Sequence, residues 1–356
     1  MVKKILKYLG MGVGVTLVAV GAFLLYINFS GLPTYEVKKI DLKVHATPAS
    51  LERGKKLAGM LCAGCHMNPQ TGAFTGQKMR DLPPEFGDIW SQNITQDPTY
   101  GIADWTDGEI AYLLRTGIHR TGRYTPPYMV KLPHMSDEDL HSIIGFLRSD
   151  DPWVKAQAVQ DTAPQPSFLV KFLSRVAFSS FEYPTKTIVA PDVADKLQYG
   201  KYLVNNLACF HCHSEDFKTN NDLEPHKSVG FMGGGNAMKD LQGNTIHTAN
   251  LTPHKEHGIG KWSEAQFIRA LRDGFTPENK PLRYPMERYP DLTDAEASAI
   301  WTYLQSVPAL ANPRKENIYV NVSGHTAKSE GQKVYEKYAC QSCHGDNGFG
   351  NCDLRQ

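Results

Sequence analysis

Three pentapeptides of one pattern have the residue types and spacing to do chemistry: Cys62-Ala63-Gly64-Cys65-His66, Cys209-Phe210-His211-Cys212-His213 and Cys340-Gln341-Ser342-Cys343-His344. Two thiols three positions apart on a helical turn can each form a thioether to one vinyl group of a haem. The imidazole that follows can swing beneath the ring as the proximal ligand to its iron. The pattern predicts covalently attached haem c, at two sites and with a third at the last motif. Cys62, Cys65, Cys209, Cys212, Cys340 and Cys343 would make the attachments, and His66, His213 and His344 would bind the metal. Two other chemistries use paired cysteines. A zinc knuckle needs a second ligand pair nearby to close a tetrahedron, and here each pair lies more than a hundred residues from the next. A thioredoxin-like dithiol is expected beside a βαβ pattern, which none of the three motifs has.

The chain around the motifs is patterned to present them. Leu51 to Leu61 reads as a helix running into the first motif. Gly200-Lys201-Tyr202-Leu203 and Gly331-Gln332-Lys333-Val334-Tyr335 lead into the others, with a glycine eight or nine residues before the first cysteine. Asn93-Ile94-Thr95 through Trp105 matches Asn250-Leu251-Thr252 through Trp262 at a constant offset of 157, the mark of a duplicated unit. After each Trp stands a capping box, Thr106-x-x-Glu109 and Ser263-x-x-Gln266, opening a helix that Gly117 or Gly274 ends. The last helix of each unit follows Ser136 or Thr293. Leu140, Ile143, Ile144 and Leu147 line one face in the first unit, and Ile300, Tyr303, Leu304 and Val307 do so in the second. No alternating strand pattern of comparable length occurs, so the units read as all-α.

On these residues the sequence resembles class I cytochromes c in tandem. More narrowly, it is similar to the membrane-anchored multihaem cytochrome c subunits of periplasmic alcohol and gluconate dehydrogenases. The resemblance implies that Gly54 and Gly200 let the first and last helices of a unit cross closely. It also implies a distal Met on each complete haem, placed between the middle and last helices. Met129 and Met286 stand there, 157 apart and each seven residues before the capping Ser136 or Thr293, beside prolines that would hold the loop extended. Met135 is the rival in the first unit, and Met232 or Met238 in the second; Trp105 and Trp262 would pack at a haem edge. The implied function is single-electron transfer rather than catalysis. Electrons would come from a periplasmic dehydrogenase or other redox protein and pass to quinone or a terminal oxidase. A free-standing respiratory shuttle is the alternative. A multihaem peroxidase would need an open distal position with an acid/base beside it.

Composition and the remaining segments fit that frame. Lys plus Arg number 38 against 37 Asp plus Glu, so nucleic-acid binding has no electrostatic basis. No phosphate-binding glycine loop, hydrolase elbow or metalloprotease helix is present. Lys3, Lys4 and Lys7 precede an uncharged run from Tyr8 to Phe29, long enough for an uncleaved transmembrane anchor. The lysines place the amino end in the cytoplasm, with the haem units on the periplasmic side of a bacterial cytoplasmic membrane. The chain divides into an N-terminal transmembrane helix (1–30), a tether (31–48), a first unit (49–150), a connector (151–190), a second unit (191–309), a linker (310–327) and a partial third unit (328–356). The connector is expected to be ordered, since Leu169, Val170, Phe172 and Leu173 would otherwise be exposed. Only twelve residues follow His344 and none is Met, so the third unit is expected to be truncated. The Asn-x-Thr runs at Asn93 and Asn250 match the glycosylation pattern, but their place inside the repeat predicts a structural role.

Overall fold

In the computed structural model, which describes residues 2–240, 242–313 and 315, the apolar run folds as one helix, α1, Val2–Ser30. At 1.5 Å per residue it is about 44 Å long, more than the ~30 Å of a hydrocarbon core. Its most apolar 18-residue window has a mean hydropathy of 2.1 and is only 6% buried, so α1 is not a core helix. The third pentapeptide, with Cys340, Cys343 and His344, lies outside the described residues.

Two copies of one helical plan follow. In the first, α2 (Pro48–Leu61) runs into the short α3 (Ala63–His66), and α4 (Asp107–Thr116) and α5 (Asp137–Leu147) complete the unit. The connector carries α6, Phe168–Val176. The second copy consists of α7 (Lys196–Asn206), α8 (Cys209–His213), α9 (Glu264–Asp273) and α10 (Asp294–Ser306). Local chemistry sets these limits. The predicted capping boxes at Thr106/Glu109 and Ser263/Gln266 are formed, and Gly117 and Gly274 end their helices in the left-handed conformation, at φ 77° and 79°. A further box, Thr47 with Ser50, starts α2 at Pro48, three residues before the patterned leucine.

Strand structure is minor. β1 (Gly87–Asp88) pairs with β2 (Gln165–Pro166), and β3 (Ala237–Lys239) with β4 (Thr245–His247), both antiparallel. Two or three residues are too few to show as an alternation. The chain is all-α in class. The connector's apolar residues are only partly covered: Val170 is buried while Leu169 stays 42% exposed.

Each unit closes where its first helix crosses its last. A Cβ on Gly54 of α2 would lie 1.9 Å from the Ser142 carbonyl oxygen of α5, and one on Gly200 of α7 would lie 1.9 Å from that of Ala299 in α10. The close-crossing role expected for both glycines is therefore what the backbone requires.

The two units also meet through equivalent positions. Lys56 of α2 is ion-paired with Glu296 of α10. Tyr202 of α7 donates its hydroxyl to the Asp139 carboxylate of α5 and accepts from the Ser136 N–H at 3.0 Å. Lys56 and Tyr202 each sit two residues after the crossing glycine, and Asp139 and Glu296 each sit three after the cap. The contact is thus pseudo-two-fold, each unit offering the same patch to the other. Burial works against the charge on Glu296, but the bonds from Lys56 and Thr293 outweigh it and hold its pKa below the ordinary value of 4.5. A carboxylate depressed in the folded state adds stability above its unfolded value, and that stability is lost as pH falls through the folded one. Glu296→Gln should therefore cost about 2 kcal/mol at pH 7. The gap from the parent should shrink in urea titrations below about pH 4.5; an equal gap at both pH values would refute it.

Candidate functional site: two cysteine-histidine motifs

The second motif is the more fully enclosed. Cys209, Cys212 and His213 line a cavity of about 1660 Å³ together with Met286, against apolar walls that include Ile259, Trp262, Phe267, Leu271 and Leu304. The Nδ1–H of His213 donates to the Ala249 carbonyl at 2.8 Å, because a carbonyl can only accept. That bond fixes the tautomer and makes Nε2 the ring nitrogen suited to ligate a metal. His66 in the first motif is held the same way by the Gln92 carbonyl, at 2.7 Å. Burial lowers its pKa while the Gln92 bond acts the other way, and the net shift favours the neutral, ligating form. Gln92 and Ala249 are 157 residues apart, so the orienting carbonyl belongs to the repeat.

Glycines make this close approach possible. The Gly76 N–H donates to the His66 carbonyl, and the Gly234 N–H to that of His213. Both glycines have positive φ, and a Cβ on either would meet main chain at 2.3–2.4 Å, from Ser91 in the first unit and Ala249 in the second. Neither the carbonyls nor these glycines belong to a recognisable motif in the sequence. The signal was there in part, since Gln92 and Ala249 immediately precede the repeat's asparagines.

Those asparagines tie each site to the segment that follows the unit's last helix. Asn93 Nδ2 donates to the Gln157 and Val159 carbonyls at 3.0 Å, and its Oδ1 accepts from Thr95 N and Oγ1. Asn250 repeats the pattern with Leu310, Asn312 and Thr252. Both are buried, so the structural role holds and neither side chain is open to a glycan. Asn250→Ala should cost about 2–3 kcal/mol by leaving the Thr252 N–H and the Leu310 carbonyl unpaired. A thermal midpoint unchanged from the parent would count against this anchor.

The remaining predicted residues are placed as follows. Cys62 and Cys65 are partly buried beside His66, and Cys65 lines the same cavity as Cys212. A Cβ on Gly64 would lie 1.8 Å from the Glu287 carboxylate, so the first motif abuts the Met286 loop of the second unit. Met129 packs partly buried against the main core, whereas its rival Met135 is only 1% exposed within it. Trp262 lines the cavity, and Trp105 stacks edge-on with His119. Burial pushes the thiols up, Cys62 and Cys209 to about 12 and Cys212 to about 11. A redox dithiol needs a lowered thiol pKa, so these pairs are poor disulfide-exchange centres. Among the described residues no group of three or more His, Cys, Asp or Glu side chains could hold a metal ion, which leaves a closed zinc site without ligands.

The donor set fits haem c. The cavity exceeds the ~300–1,000 Å³ of an ordinary small-molecule pocket, is largely apolar, and is lined by the cysteines and oriented imidazole of the second motif together with the Met286 thioether. Curated relatives point the same way. The fructose dehydrogenase cytochrome subunit of Gluconobacter japonicus is 29% identical over 351 residues, covering 86% of this chain and 67% of that protein. The cytochrome c subunit of the quinone alcohol dehydrogenase of Gluconobacter oxydans is 28% identical, covering 86% and 65%. A diheme cytochrome c-type protein of Cereibacter sphaeroides is 28% identical over 263 residues, covering 70% and 82%. The chain thus spans about two thirds of the length of the two dehydrogenase subunits. The cytochrome c family model matches residues 51–150 and again 197–308, more than half of the chain. With both matched segments holding a Cys-x-x-Cys-His motif and its carbonyl-oriented imidazole, the chain belongs to the cytochrome c family and carries haem c.

Proposed function

We propose that this chain is the electron-transfer subunit of a membrane-bound dehydrogenase acting on the periplasmic side of a bacterial cytoplasmic membrane. It would take single electrons from the dehydrogenase and release them to quinone or a terminal oxidase. The haem units would occupy 49–150 and 191–309, with the third motif in the segment from 328 onward. One observation carries the reading: in both duplicated units a main-chain carbonyl at the same repeat position orients the imidazole after the second cysteine. Dehydrogenase cytochrome subunits among the relatives support the choice of partner.

Haem c supplies a carrier that changes by one electron without making or breaking bonds to a substrate. The protein's part is to hold and tune it. Cys62 with Cys65 and Cys209 with Cys212 tether the two rings, and Cys340 with Cys343 would tether a third. His66 and His213 would offer Nε2 to the iron, His344 would be the corresponding ligand of a third haem, and Met129 and Met286 would offer the thioether that favours the reduced form. Apolar walls such as Phe267 and Leu271 exclude water, which keeps solvent reorganisation small when charge moves. Cys65 and Cys212 border one cavity, so electrons need not leave the protein to pass between the units.

The test uses the full chain matured in a periplasm competent for haem attachment. Mass analysis should show the cysteines of both complete motifs modified, and affinity purification from native membranes should bring a dehydrogenase whose substrate reduces the haems. Unmodified thiols would overturn the electron-carrier reading. A haem-loaded chain without a dehydrogenase would overturn only the subunit reading.

A further inference from the structure

The connector helix α6 is amphipathic in an unusual sense, because it buries its narrower side. At 100° per residue Phe168, Phe172, Val176, Leu169 and Leu173 share one arc of about 140°. Val170 and Ser174, both fully buried, lie on the opposite side, with Val170 packed against Phe86 and Ile89. The wider apolar arc faces outward: Phe168, Leu169 and Val176 are 41%, 42% and 54% exposed, and Phe168 stacks on Phe172. A contiguous apolar strip left open beside a basic flank calls for an occupant.

The third flank says what covers it. Lys171 Nζ donates to the Asn28 carbonyl at 3.0 Å, and Arg175 donates to Ser30 Oγ at 2.6 Å while its guanidinium lies 5.5 Å from the centre of the Tyr26 ring. All three partners belong to the last turns of α1, where the apolar span ends. Basic and aromatic side chains at the end of a span sit at headgroup level, with their apolar parts turned to the acyl chains. The arc of α6 is therefore held at the depth of Tyr26 and Phe29, themselves 60% and 81% exposed.

We propose that α6 is a membrane-interface helix, its Phe168–Leu169–Phe172–Val176 face bedded in the outer leaflet of the bilayer that α1 crosses. An interfacial helix of this kind sinks about 5–10 Å into the headgroup region. With Val170 fixed to the first unit and the basic flank fixed to α1, the haem units are held at a set orientation to the lipid surface rather than swinging on the tether. The inference rests on α1 as a membrane span, and the test separates the two.

Haem-loaded full-length protein with Cys352→Ser would carry one nitroxide at a time, at Leu169→Cys, Val176→Cys, Val18→Cys or Val193→Cys, in vesicles of phosphatidylethanolamine and phosphatidylglycerol. Val18 reports on α1, and Val193, 49% exposed ahead of α7, serves as the aqueous control. Labels at 169 and 176 should collide severalfold more with oxygen than with a water-soluble nickel chelate, as at 18, with the reverse at 193. If 169 and 176 behave like 193 while 18 stays in lipid, the inference falls and the anchor stands. If 18 is open to the chelate, both fall. If 169 and 176 are shielded from both reagents, a protein surface covers α6 and the lipid inference is wrong.

Discussion

Gly200→Ala should prevent the second unit from closing and Gly54→Ala the first, each at a cost of about 3 kcal/mol or more, whereas Gly59→Ala, five residues further along α2, should be neutral or stabilising. Overpacking usually costs ~1–3 kcal/mol, because neighbouring side chains can give way. At Gly54 and Gly200 the atom in the way is a main-chain carbonyl oxygen 1.9 Å from the new methyl group, so α5 or α10 must move bodily. Moving α10 also disturbs Glu296 and its pair with Lys56. At Gly59 the nearest atom to a new Cβ is a ring carbon of Trp153 at 3.5 Å, an ordinary contact, and alanine gains up to ~1 kcal/mol in helix propensity. Guanidinium titrations of the haem-loaded protein, read by helical circular dichroism, would decide. Equal midpoints for Gly54→Ala and Gly59→Ala would dismiss the crossing argument.

Much of this was open to reading in the residues, and what was hidden was hidden for physical reasons. Capping boxes, left-handed glycines and the cysteine motifs depend on side chains within a few positions of each other, so Thr106, Glu109, Gly117 and His66 could be placed directly. The carbonyls of Gln92 and Ala249 could not, because any residue supplies one; only the fold aims them at an imidazole. The contact between units was concealed by its chemistry. Equivalent positions hold a Lys–Glu ion pair on one side and a Tyr–Asp hydrogen bond on the other, so no repeated letter marks the interface. The outward face of α6 was missed for a different reason. Apolar residues in a connector suggest burial within the protein, and the same residues are equally at home in lipid when a spanning helix holds them at the right depth.

Replacing the distal thioether is the second large effect expected. Met129→Leu and Met286→Leu should each lower the reduction potential of one haem by roughly 100–300 mV, inside the ~0.8 V that axial ligands span, while Met135→Leu and Met232→Leu should leave both potentials in place. Duplication separates the candidates. Met135 has no counterpart thioether in the second unit: its N–H donates to the Leu132 carbonyl, as that of Leu292 does to the Tyr289 carbonyl. Met232 accepts from Leu251 N–H through its carbonyl as Phe74 does from Ile94, and both side chains are fully buried. Leucine and phenylalanine therefore do in one unit what these methionines do in the other, which is fill the core. Met129 and Met286 occupy equivalent positions, their N–H groups bonding back to the Pro126 and Arg283 carbonyls, three residues earlier in each loop. There the repeat keeps a thioether between the middle and last helices in both copies, whereas Met238, which pairs with Ile246 as Met79 does with Ile89, lies before the middle helix. Volume-conserving Met-to-Leu changes should cost less than ~1.5 kcal/mol, so a potential shift would not reflect unfolding. A shift with Met135→Leu and none with Met129→Leu would move the assignment in the first unit to Met135, and the symmetry argument would fail with it.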